Sequence, residues 1–461
     1  MTSTTSAEGN LVRRLVSLAE VRFRLCRETY MLLFGILLCS ITPILSCLIL
    51  GRYKKAVAVT FNSIFRGDSA WDDSWAPIGN VLRYLASHSP EGLYQATYWE
   101  SSHQFIYSPL SIVFYKMTNW PPILDWSSPL SVNRLFWWIL WGDVALVILI
   151  FNEFYRHLDL PTANRNPYER IARVFLPLLA ALLYFPLMWG YWVGNIQTGL
   201  TFLTLLSLYL WLRGDRIGVG VCLGVVCIFK PAIAPILLWA LLRREFRMVG
   251  GFLAVLIPIG IASLFMFGVG VHRDYLELMA YLSRRGESYF GSHSINSLLN
   301  RLIFNGPNLV WDGTHSHILY VPWIHYATMI TTFCFIGAAL IGRRQHDPVA
   351  SWIDYAIAIL SFTIGSPVVY EHHLGFTIVL FMMAGLMLLK NPRSPILMLS
   401  VLGASYLAIG NSLEIITDRL AGTSFNFLQS YRLFGTIGLL AILYHLRSMR
   451  SEQTAIAAEP S

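Results

Sequence analysis

The sequence predicts an all-α membrane protein with about twelve transmembrane helices, within a range of about eleven to thirteen. Of its 461 residues, 55% are hydrophobic and only 13% are charged, whereas about a quarter are charged in ordinary soluble domains. Long uncharged stretches recur along the whole chain, as expected of helices that cross a bilayer. The 15 Trp, 22 Tyr and 27 Phe residues supply the amphipathic rings that favour membrane interfaces.

Apolar runs give the positions of the predicted spans. The first run, 30–50, is too long for the core of a signal peptide and therefore predicts a retained first span. Lys230-Pro231 breaks the apolar stretch 217–242 into two short predicted spans. The predicted spans lie near residues 30–50, 135–154, 174–193, 196–212, 217–230, 231–242, 249–270, 322–341, 353–367, 374–389, 395–411 and 432–447.

Charge distribution predicts the orientation and the domain plan. More than half of the Lys and Arg residues lie in the segment before the first span, in the short connections between spans and just after the last span, which places these segments in the cytoplasm. A cytoplasmic N-terminal segment, 1–29, is expected to precede one transmembrane domain, 30–450, and a disordered cytoplasmic tail, 451–461. Three long loops then face outward: 51–134, 271–321 and 412–431.

Two segments of the first long loop are predicted to lie at the membrane surface. Residues 77–86 have the pattern of a short amphipathic helix that lies in the interface. Residues 107–120 are apolar enough for a thirteenth span, but a re-entrant or interfacial helix fits better. A full span there would move the Arg-rich connection 155–173 to the outside.

Several function classes have no support in the sequence. No basic stripe interleaved with aromatic residues indicates nucleic-acid binding. The six Cys residues follow neither a metal-ligand spacing nor a disulfide pattern. No Gly-rich phosphate-binding loop is present, which argues against chemistry driven by nucleotides.

An acidic cluster follows the first predicted span. Asp68, Asp72 and Asp73 occur within six residues, beside Trp71 and Trp75, whose flat faces suit sugars. A carboxylate next to a substrate hydroxyl can act as a general base. The alternative is a solvated acidic loop, and the pattern does not decide which Asp matters.

A second polar cluster separates two apolar runs near the end of the chain. Glu371, His372 and His373 lie between 353–365 and 374–389. Ionisable groups at such a position are costly and indicate function. Imidazoles there can carry charge or bind a phosphate oxygen, and a helix N-terminus can bind an anion; simple interfacial imidazoles are the alternative. Adjacent His residues rarely share one metal ion. We expect both clusters to meet at one outward-facing site.

Other polar residues interrupt apolar stretches. Lys230 either snorkels outward or pairs with an anion such as a lipid phosphate. Asn195 and Gln197 separate two predicted spans, where they cap helix ends or bind sugar hydroxyls. The segment 291–301 is rich in hydrogen-bonding groups, and its Arg301 is either an interfacial anchor or a phosphate-binding residue.

Short motifs follow one another along the chain: Asp72-Asp73, Gly92-Leu93-Tyr94, Phe105-Ile106-Tyr107-Ser108-Pro109, Gly194-Asn195-Ile196-Gln197, Phe229-Lys230-Pro231, Ser294-Ile295-Asn296-Ser297 with Arg301, and Ser366-Pro367 with His372-His373. This order resembles the GT-C class of integral-membrane glycosyltransferases over about residues 30–390. It is most similar to glycosyltransferase family 87, whose members include a phosphatidylinositol-mannoside mannosyltransferase and an arabinosyltransferase.

The resemblance implies an inverting glycosyltransferase. Its donor would be a polyprenyl-phosphate sugar and its acceptor a lipid-linked molecule or glycan, with mannose the expected sugar and arabinose the alternative. The reaction would take place at the outer face of a bacterial plasma membrane, among membrane lipids. A lipid monophosphate carries less charge than a nucleotide diphosphate, so no metal or other cofactor is required.

The resemblance also assigns candidate site residues. Asp73 fits the position of the family's general base, with Asp72 still open, and His372 and His373 fit the Ser-Pro-x-x-x-x-His-His pattern that starts at Ser366. Lys230, Arg301 and His293 would bind the donor phosphate. The remaining candidates would bind the sugar or the acceptor: Asp68, Tyr107, Asn195, Gln197, Asn296 and Glu371.

The sequence departs from the family pattern at two motifs. Ile295-Asn296-Ser297 stands where the family has Asn-Gln-Ser, and the Gly-Asn-x-Gln order at 194–197 replaces Gly-Gln-x-Asn. The competing function is a transporter or flippase of a lipid-linked sugar. Such a protein needs a site near mid-membrane and two alternating openings, whereas this chain concentrates its ionisable residues at one face and shows no half-to-half symmetry.

Overall fold

The computed structural model describes residues 27–49, 59, 62–65, 67, 69, 72–119, 124–158, 167–306, 308–311, 317–318, 320–342, 344–391 and 396–458. Most of the predicted N-terminal segment and Asp68 of the acidic cluster lie outside the described residues.

Helices dominate the described part of the chain. In chain order they are α1 (Arg27–Ile49), α2 (Trp75–Ser87), α3 (Pro109–Thr118), α4 (Pro129–His157), α5 (Pro167–Leu182), α6 (Phe185–Trp192), α7 (Gln197–Arg213), α8 (Arg216–Phe229), α9 (Pro235–Leu242), α10 (Phe246–Arg284), α11 (Ile295–Ile303), α12 (Pro322–Leu340), α13 (Pro348–Ile364), α14 (Thr377–Lys390), α15 (Ile396–Gly410), α16 (Glu414–Leu420) and α17 (Tyr431–Ala458). The predicted all-α polytopic class is confirmed.

Short elements complete this list. A π-helical turn covers Gln95–Trp99, and 3₁₀ turns cover Pro231–Ile233, Glu371–Leu374 and Asn426–Ser430. A short antiparallel ladder, which the sequence did not predict, joins β1 (Gly286–Glu287) to β2 (His317–Ile318).

Local sequence explains where several helices begin. The Asp347 side chain accepts a hydrogen bond from the Ala350 N–H at the start of α13, and Pro348 occupies the first helical position. Ser128 caps α4 in the same way through the Ser131 N–H. Such caps satisfy backbone donors that the helix itself leaves free, and proline at that position loses no helical hydrogen bond.

Helices α13 and α14 form the centre of the bundle. Nearly every residue of both helices is buried, as expected of helices that are apolar on all sides. Helix α13 packs against α7, α12 and α17, while α14 packs against α1, α4, α15 and α17. The loop between α13 and α14 carries the predicted histidine cluster, so the bundle centre fixes the base of that loop.

Small residues allow α8 and α10 to pack closely. A Cβ atom added to Gly220 would lie 2.0 Å from the Met248 carbonyl oxygen, and one added to Gly251 would lie 2.3 Å from the Ile217 carbonyl oxygen. Such close backbone approach is typical of membrane helices that pack through glycine. Helix α10 also contains a break at Gly268, whose φ is 71°.

Helix lengths give a smaller number of full spans than the twelve predicted. Each predicted segment contains a described helix. Within the described ranges, 4 helices are long and apolar enough to cross a membrane alone, or up to 5 if α5 and α6, bent by 56°, form one span. Helices α8, α13, α14 and α15 have 14, 17, 14 and 15 residues, below the roughly 20 residues that cross a bilayer perpendicularly, whereas α1 has 23.

Three further expectations can be compared with the described helices. The surface helix predicted at 77–86 lies within α2. Helix α3 has 10 residues, or a length of about 15 Å, so 107–120 is not a thirteenth full span. Helix α17 continues to Ala458, into the predicted tail 451–461; this stretch contains Ala, Glu and Gln, which favour helices.

We predict that Gly251→Ala destabilises the protein by about 1–3 kcal/mol, because the added methyl group has no room against the Ile217 backbone. Thermal unfolding in detergent micelles measures the effect. Gly250→Ala is the matched control, since no atom lies within 4 Å of its added Cβ atom and alanine favours a helix. Equal unfolding midpoints for the two variants would show that this helix crossing is not tightly packed.

Candidate functional site

The loop that carries the acidic cluster docks on the turn between α6 and α7. The Asp73 N–H donates to the Val193 carbonyl (3.1 Å) and the Ser74 N–H donates to the Gly194 carbonyl (3.0 Å). Gly194 has a φ of 65°, a conformation that glycine adopts without strain. The Gly-Asn-x-Gln motif thus forms a turn whose carbonyls hold a segment that precedes it by about 120 residues.

Side chains of the same turn hold the Asp73 carboxylate. Asn195 Nδ2 donates to Asp73 Oδ2 (2.5 Å), and Asn195 Oδ1 accepts from the Gln197 N–H (2.7 Å). Partial burial raises the pKa of Asp73, while the bond from Asn195 lowers it and the charge of Asp72 raises it. Asp73 nevertheless keeps solvent-accessible surface, so its free oxygen can meet a substrate.

Asp72 differs from Asp73 in its described contacts. Both residues keep exposed surface, but the Asp73 carboxylate accepts from Asn195, whereas Asp72 acts on its neighbour through its negative charge. The described contacts therefore favour Asp73 over Asp72 as the positioned carboxylate, the choice that the sequence left open.

Tyr107 anchors the other side of the acidic loop. Its hydroxyl is hydrogen-bonded to Ser74 Oγ (2.7 Å), which also accepts the Ile196 N–H (3.0 Å). The Tyr94 hydroxyl donates to the Tyr107 carbonyl (2.7 Å). Tyr107 therefore lies at the site, as predicted, and its hydroxyl already has a protein partner.

A small cavity opens beside this turn. Lys230 Nζ donates to Gln197 Oε1 (3.3 Å), and both side chains line the cavity together with Ser366 and His373. The rest of the wall is mainly apolar: Leu200, Val226, Ala232, Ile233, Ile359, Phe362 and Phe376. The cavity thus combines a polar end, which carries one cation, with a hydrophobic wall.

Hydrogen bonding fixes the tautomer of His373. The Tyr370 N–H donates to His373 Nδ1 (3.1 Å), so a neutral ring carries its proton on Nε2. Burial, followed by the charge of Lys230, lowers the pKa of His373 well below its ordinary value. Burial likewise lowers the pKa of His372 to about 3. Both imidazoles are therefore neutral near pH 7 and act as hydrogen-bonding groups rather than cations.

Glu371 belongs to a separate buried network with an arginine that sequence reasoning missed. Arg432 Nη1 donates to Glu371 Oε1 (3.1 Å) and to His293 Nε2 (3.0 Å), and Arg432 Nη2 donates to the Asn411 carbonyl (2.8 Å). Burial would raise the pKa of Glu371, but the Arg432 charge and the His293 contact outweigh it and hold that pKa at about 2. Burial lowers the pKa of His293 to about 4.

One feature of the sequence indicates that Arg432 has a specific partner. It stands at the start of the last apolar run, at the end that the charge distribution assigns to the outside, where Arg is disfavoured. An arginine that remains there needs a partner, and Glu371 is that partner.

Arg301 and Asn296 bind the protein's own loop instead of facing the cavity. Arg301 is fully buried; Nε donates to the Ser288 carbonyl (3.2 Å), and Nη2 donates to the Ser292 carbonyl (2.6 Å) and to the Tyr289 carbonyl. Asn296 Oδ1 accepts from the Glu287 N–H (3.2 Å) and from Asn300 Nδ2 (2.9 Å). This geometry does not support the predicted contact of Arg301 with a donor phosphate or of Asn296 with a sugar.

The two predicted clusters therefore meet. Asp73 reaches Lys230 through Asn195 and Gln197, and Lys230 and His373 line the same cavity. His293 and Glu371 lie in the adjoining network with Arg432. Where the structure describes side chains, no group of three or more His, Cys, Asp or Glu residues is arranged to hold a metal ion.

Comparison with known families gives one match. Residues 105–367 match the family model of glycosyltransferase family 87. No curated protein matches the chain. The matched range contains Tyr107, the Gly-Asn-x-Gln turn and Lys230, whereas Asp73 precedes it and His372-His373 follow it.

We predict that Glu371→Gln lowers stability by about 3 kcal/mol at pH 7, because it leaves the buried Arg432 guanidinium without its counter-ion. The folded pKa of Glu371, about 2, lies below the ordinary 4.5, so its charge contributes stability above pH 4.5. That contribution is lost as pH falls towards 2. The difference in thermal unfolding midpoint between wild type and variant should therefore be largest near neutral pH and smaller at pH 4.

Glu277→Gln is the control for this experiment. Glu277 pairs with Arg273 on the surface, where both side chains are mostly exposed, and such pairs contribute about 0.5 kcal/mol or less. If Glu371→Gln behaves like Glu277→Gln, the buried ion pair does not stabilise this fold.

Proposed function

Because the chain belongs to glycosyltransferase family 87, we propose that this membrane enzyme transfers a sugar, mannose in the first instance, from a polyprenyl-phosphate donor to a lipid-linked or glycan acceptor with inversion. The arrangement that supports this most directly is a positioned carboxylate, Asp73, joined by two amides to a cavity with a cationic end and an apolar wall.

The cavity suits an amphipathic phosphate. Lys230 supplies a positive charge and His373 a neutral Nε2–H donor at the polar end. These groups would bind the donor phosphate and stabilise the charge that develops on it as the sugar leaves. The wall around Phe362 and Phe376 is apolar, as a site for the first isoprene units requires.

Asp73 is the proposed general base. Its free carboxylate oxygen would take the proton of the acceptor hydroxyl while that hydroxyl oxygen forms a bond to the anomeric carbon. The bond from the anomeric carbon to the donor phosphate oxygen breaks at the same time, and polyprenyl phosphate leaves. Tyr107, Asn195 and Gln197 are close enough to this carboxylate to contact sugar hydroxyls.

The proposed site faces the extracytoplasmic side of a bacterial plasma membrane. The supporting observation is the concentration of Lys and Arg in the short connections at the opposite ends of the helices. Both termini would then be cytoplasmic, and donor and acceptor would approach from the outer leaflet.

We predict that Asp73→Asn lowers kcat by about a hundred- to ten-thousandfold, because the amide cannot accept the acceptor proton. Purified protein is assayed with polyprenyl-phosphate mannose and a panel of lipid acceptors, and with polyprenyl-phosphate arabinose in parallel. Transfer from the arabinosyl donor alone would replace mannose by arabinose as the sugar in this proposal.

Asp72→Asn is the matched control for the base assignment. It should retain most of the activity, because Asn195 positions the carboxylate of Asp73 and not that of Asp72. Full turnover by Asp73→Asn together with loss of turnover in Asp72→Asn would mean that Asp72, and not Asp73, is the general base. Full turnover by both variants would contradict general-base catalysis by either carboxylate.

We also predict that Asn195→Ala moves the acidic limb of the pH–rate profile to higher pH. The bond from Asn195 lowers the pKa of Asp73, so its loss raises that pKa further. A base is active when deprotonated, and activity then falls at a higher pH as the solution is acidified. Asn80→Ala should leave the limb unchanged, because Asn80 contacts Ser101 and Arg83 instead. If the acidic side of the pH–rate profile is unchanged in Asn195→Ala, the pKa of a group other than Asp73 determines it.

A further inference from the structure

We infer that Glu287 is a positioning residue for glycosyl transfer, which acts through Tyr370 to hold His373 at the polar end of the cavity. This inference rests on the proposed function, in which His373 donates to the donor phosphate. Glu287 belongs to no motif that the sequence singled out, and Tyr370 occupies an unassigned position of the Ser-Pro-x-x-x-x-His-His pattern that starts at Ser366.

The first step is a hydrogen bond across two distant segments. The Tyr370 hydroxyl donates to Glu287 Oε1 (2.7 Å), and Glu287 is only 4% exposed. Burying a carboxylate is costly unless it is hydrogen-bonded or paired. Burial raises the pKa of Glu287 to about 7, while the hydrogen bond from Tyr370 and the nearby positive charge of Arg301 act in the opposite direction.

The second step connects Tyr370 to the imidazoles. Its backbone N–H donates to His373 Nδ1 (3.1 Å), and its ring stacks on His372 with a centroid distance of 5.7 Å and an angle of 25°. The same ring meets His373 edge-on at 5.8 Å. Movement of Tyr370 would therefore change both the tautomer and the orientation of His373, since a neutral imidazole presents a donor at one nitrogen only.

The third step explains why Glu287 is itself fixed. Glu287 lies in β1 and pairs with His317 of β2 in the short ladder. The Glu287 N–H donates to Asn296 Oδ1. Arg301 binds the carbonyls of Ser288, Tyr289 and Ser292 in the segment that follows. A backbone bridge from Ser292 to Tyr370 and a bond from the His293 N–H to the Val369 carbonyl (2.6 Å) join this segment to the histidine loop.

These contacts assign a role to Arg301 and Asn296, which sequence reasoning placed at the substrate. They brace the segment that carries Glu287, Glu287 holds Tyr370, and Tyr370 holds His373. Support of this kind keeps a functional side chain within the narrow range of positions that chemistry needs.

A double-mutant cycle on purified full-length protein tests the inference. Glu287→Ala and Tyr370→Phe are each expected to lower kcat for transfer from polyprenyl-phosphate mannose by about ten- to a hundredfold, because small misplacements of reacting groups are that costly. The KM for the acceptor should stay within about twofold, since the lost interaction acts mainly in the transition state. The double variant should lose no more than either single variant, because both changes break the same hydrogen bond.

Glu287→Gln distinguishes loss of the hydrogen bond from poor folding of the Glu287→Ala variant. Its amide oxygen can still accept the Tyr370 hydroxyl, so it should recover most of the kcat that Glu287→Ala loses. All rates are expressed per amount of folded protein, taken from the monodisperse fraction in size-exclusion chromatography. Tyr326→Phe, an exposed tyrosine on α12, is the control for removal of a phenol and should match wild type.

The outcomes separate this inference from the proposed function. No transfer from either polyprenyl-phosphate donor by wild type, with any acceptor of the panel, would overturn the proposed function and the inference with it. With an active wild type, three results would overturn the inference alone: wild-type kcat in Glu287→Ala, wild-type kcat in Tyr370→Phe, or losses that multiply in the double variant.

Discussion

Ion pairs buried in this apolar bundle organise the structure around α13. Removing a charge from water costs several kcal/mol, which a well-placed counter-ion and hydrogen bonds offset. At one end, Asp354 of α13 accepts from Arg243 Nε (2.7 Å) and from Arg447 Nη1 (2.6 Å). Beyond the other end of α13, Glu371 accepts from Arg432. These pairs join segments that are far apart in sequence and hold α13 and the loop that follows it.

The same constraint shapes the electrostatics of the site. Lys230 and the neutral His373 imidazole lie at its polar end. The buried acid of the adjoining network, Glu371, is already neutralised by Arg432. The positive charge of Lys230 is therefore the one that a ligand phosphate would meet first in the cavity. A fixed cation with neutral donors in a wall of low polarity binds an anion more strongly than the same groups would in water.

Much of the fold could be predicted because apolar periodicity is a local signal. All twelve predicted segments contain helices, and the meeting of the Asp and His clusters was anticipated from segment order. The exact helix ends could not be predicted, because they depend on caps and on breaks such as Gly268. The partners of Arg301 could not be predicted either, because a lone arginine looks the same in a sequence whether it contacts a phosphate or backbone carbonyls; burial and partners distinguish the two. Tyr370 and Glu287 were missed because their bond joins residues 83 positions apart.

The proposed inversion at an anomeric carbon would impose a geometric requirement on the turn between α6 and α7. The base and the leaving phosphate would have to lie on opposite faces of the sugar ring. Asn195 holds the Asp73 carboxylate, and Gln197, two residues later, holds Lys230. Because both amides belong to one turn, whose Gly194 adopts a positive φ, the same backbone segment positions the carboxylate and the amine. Under the proposed mechanism, a sugar bound between them would meet the carboxylate on one face and the phosphate-binding end on the other. The spacing of the two amides would then matter more than their order, and Gly-Asn-x-Gln could serve where the family more often has Gly-Gln-x-Asn.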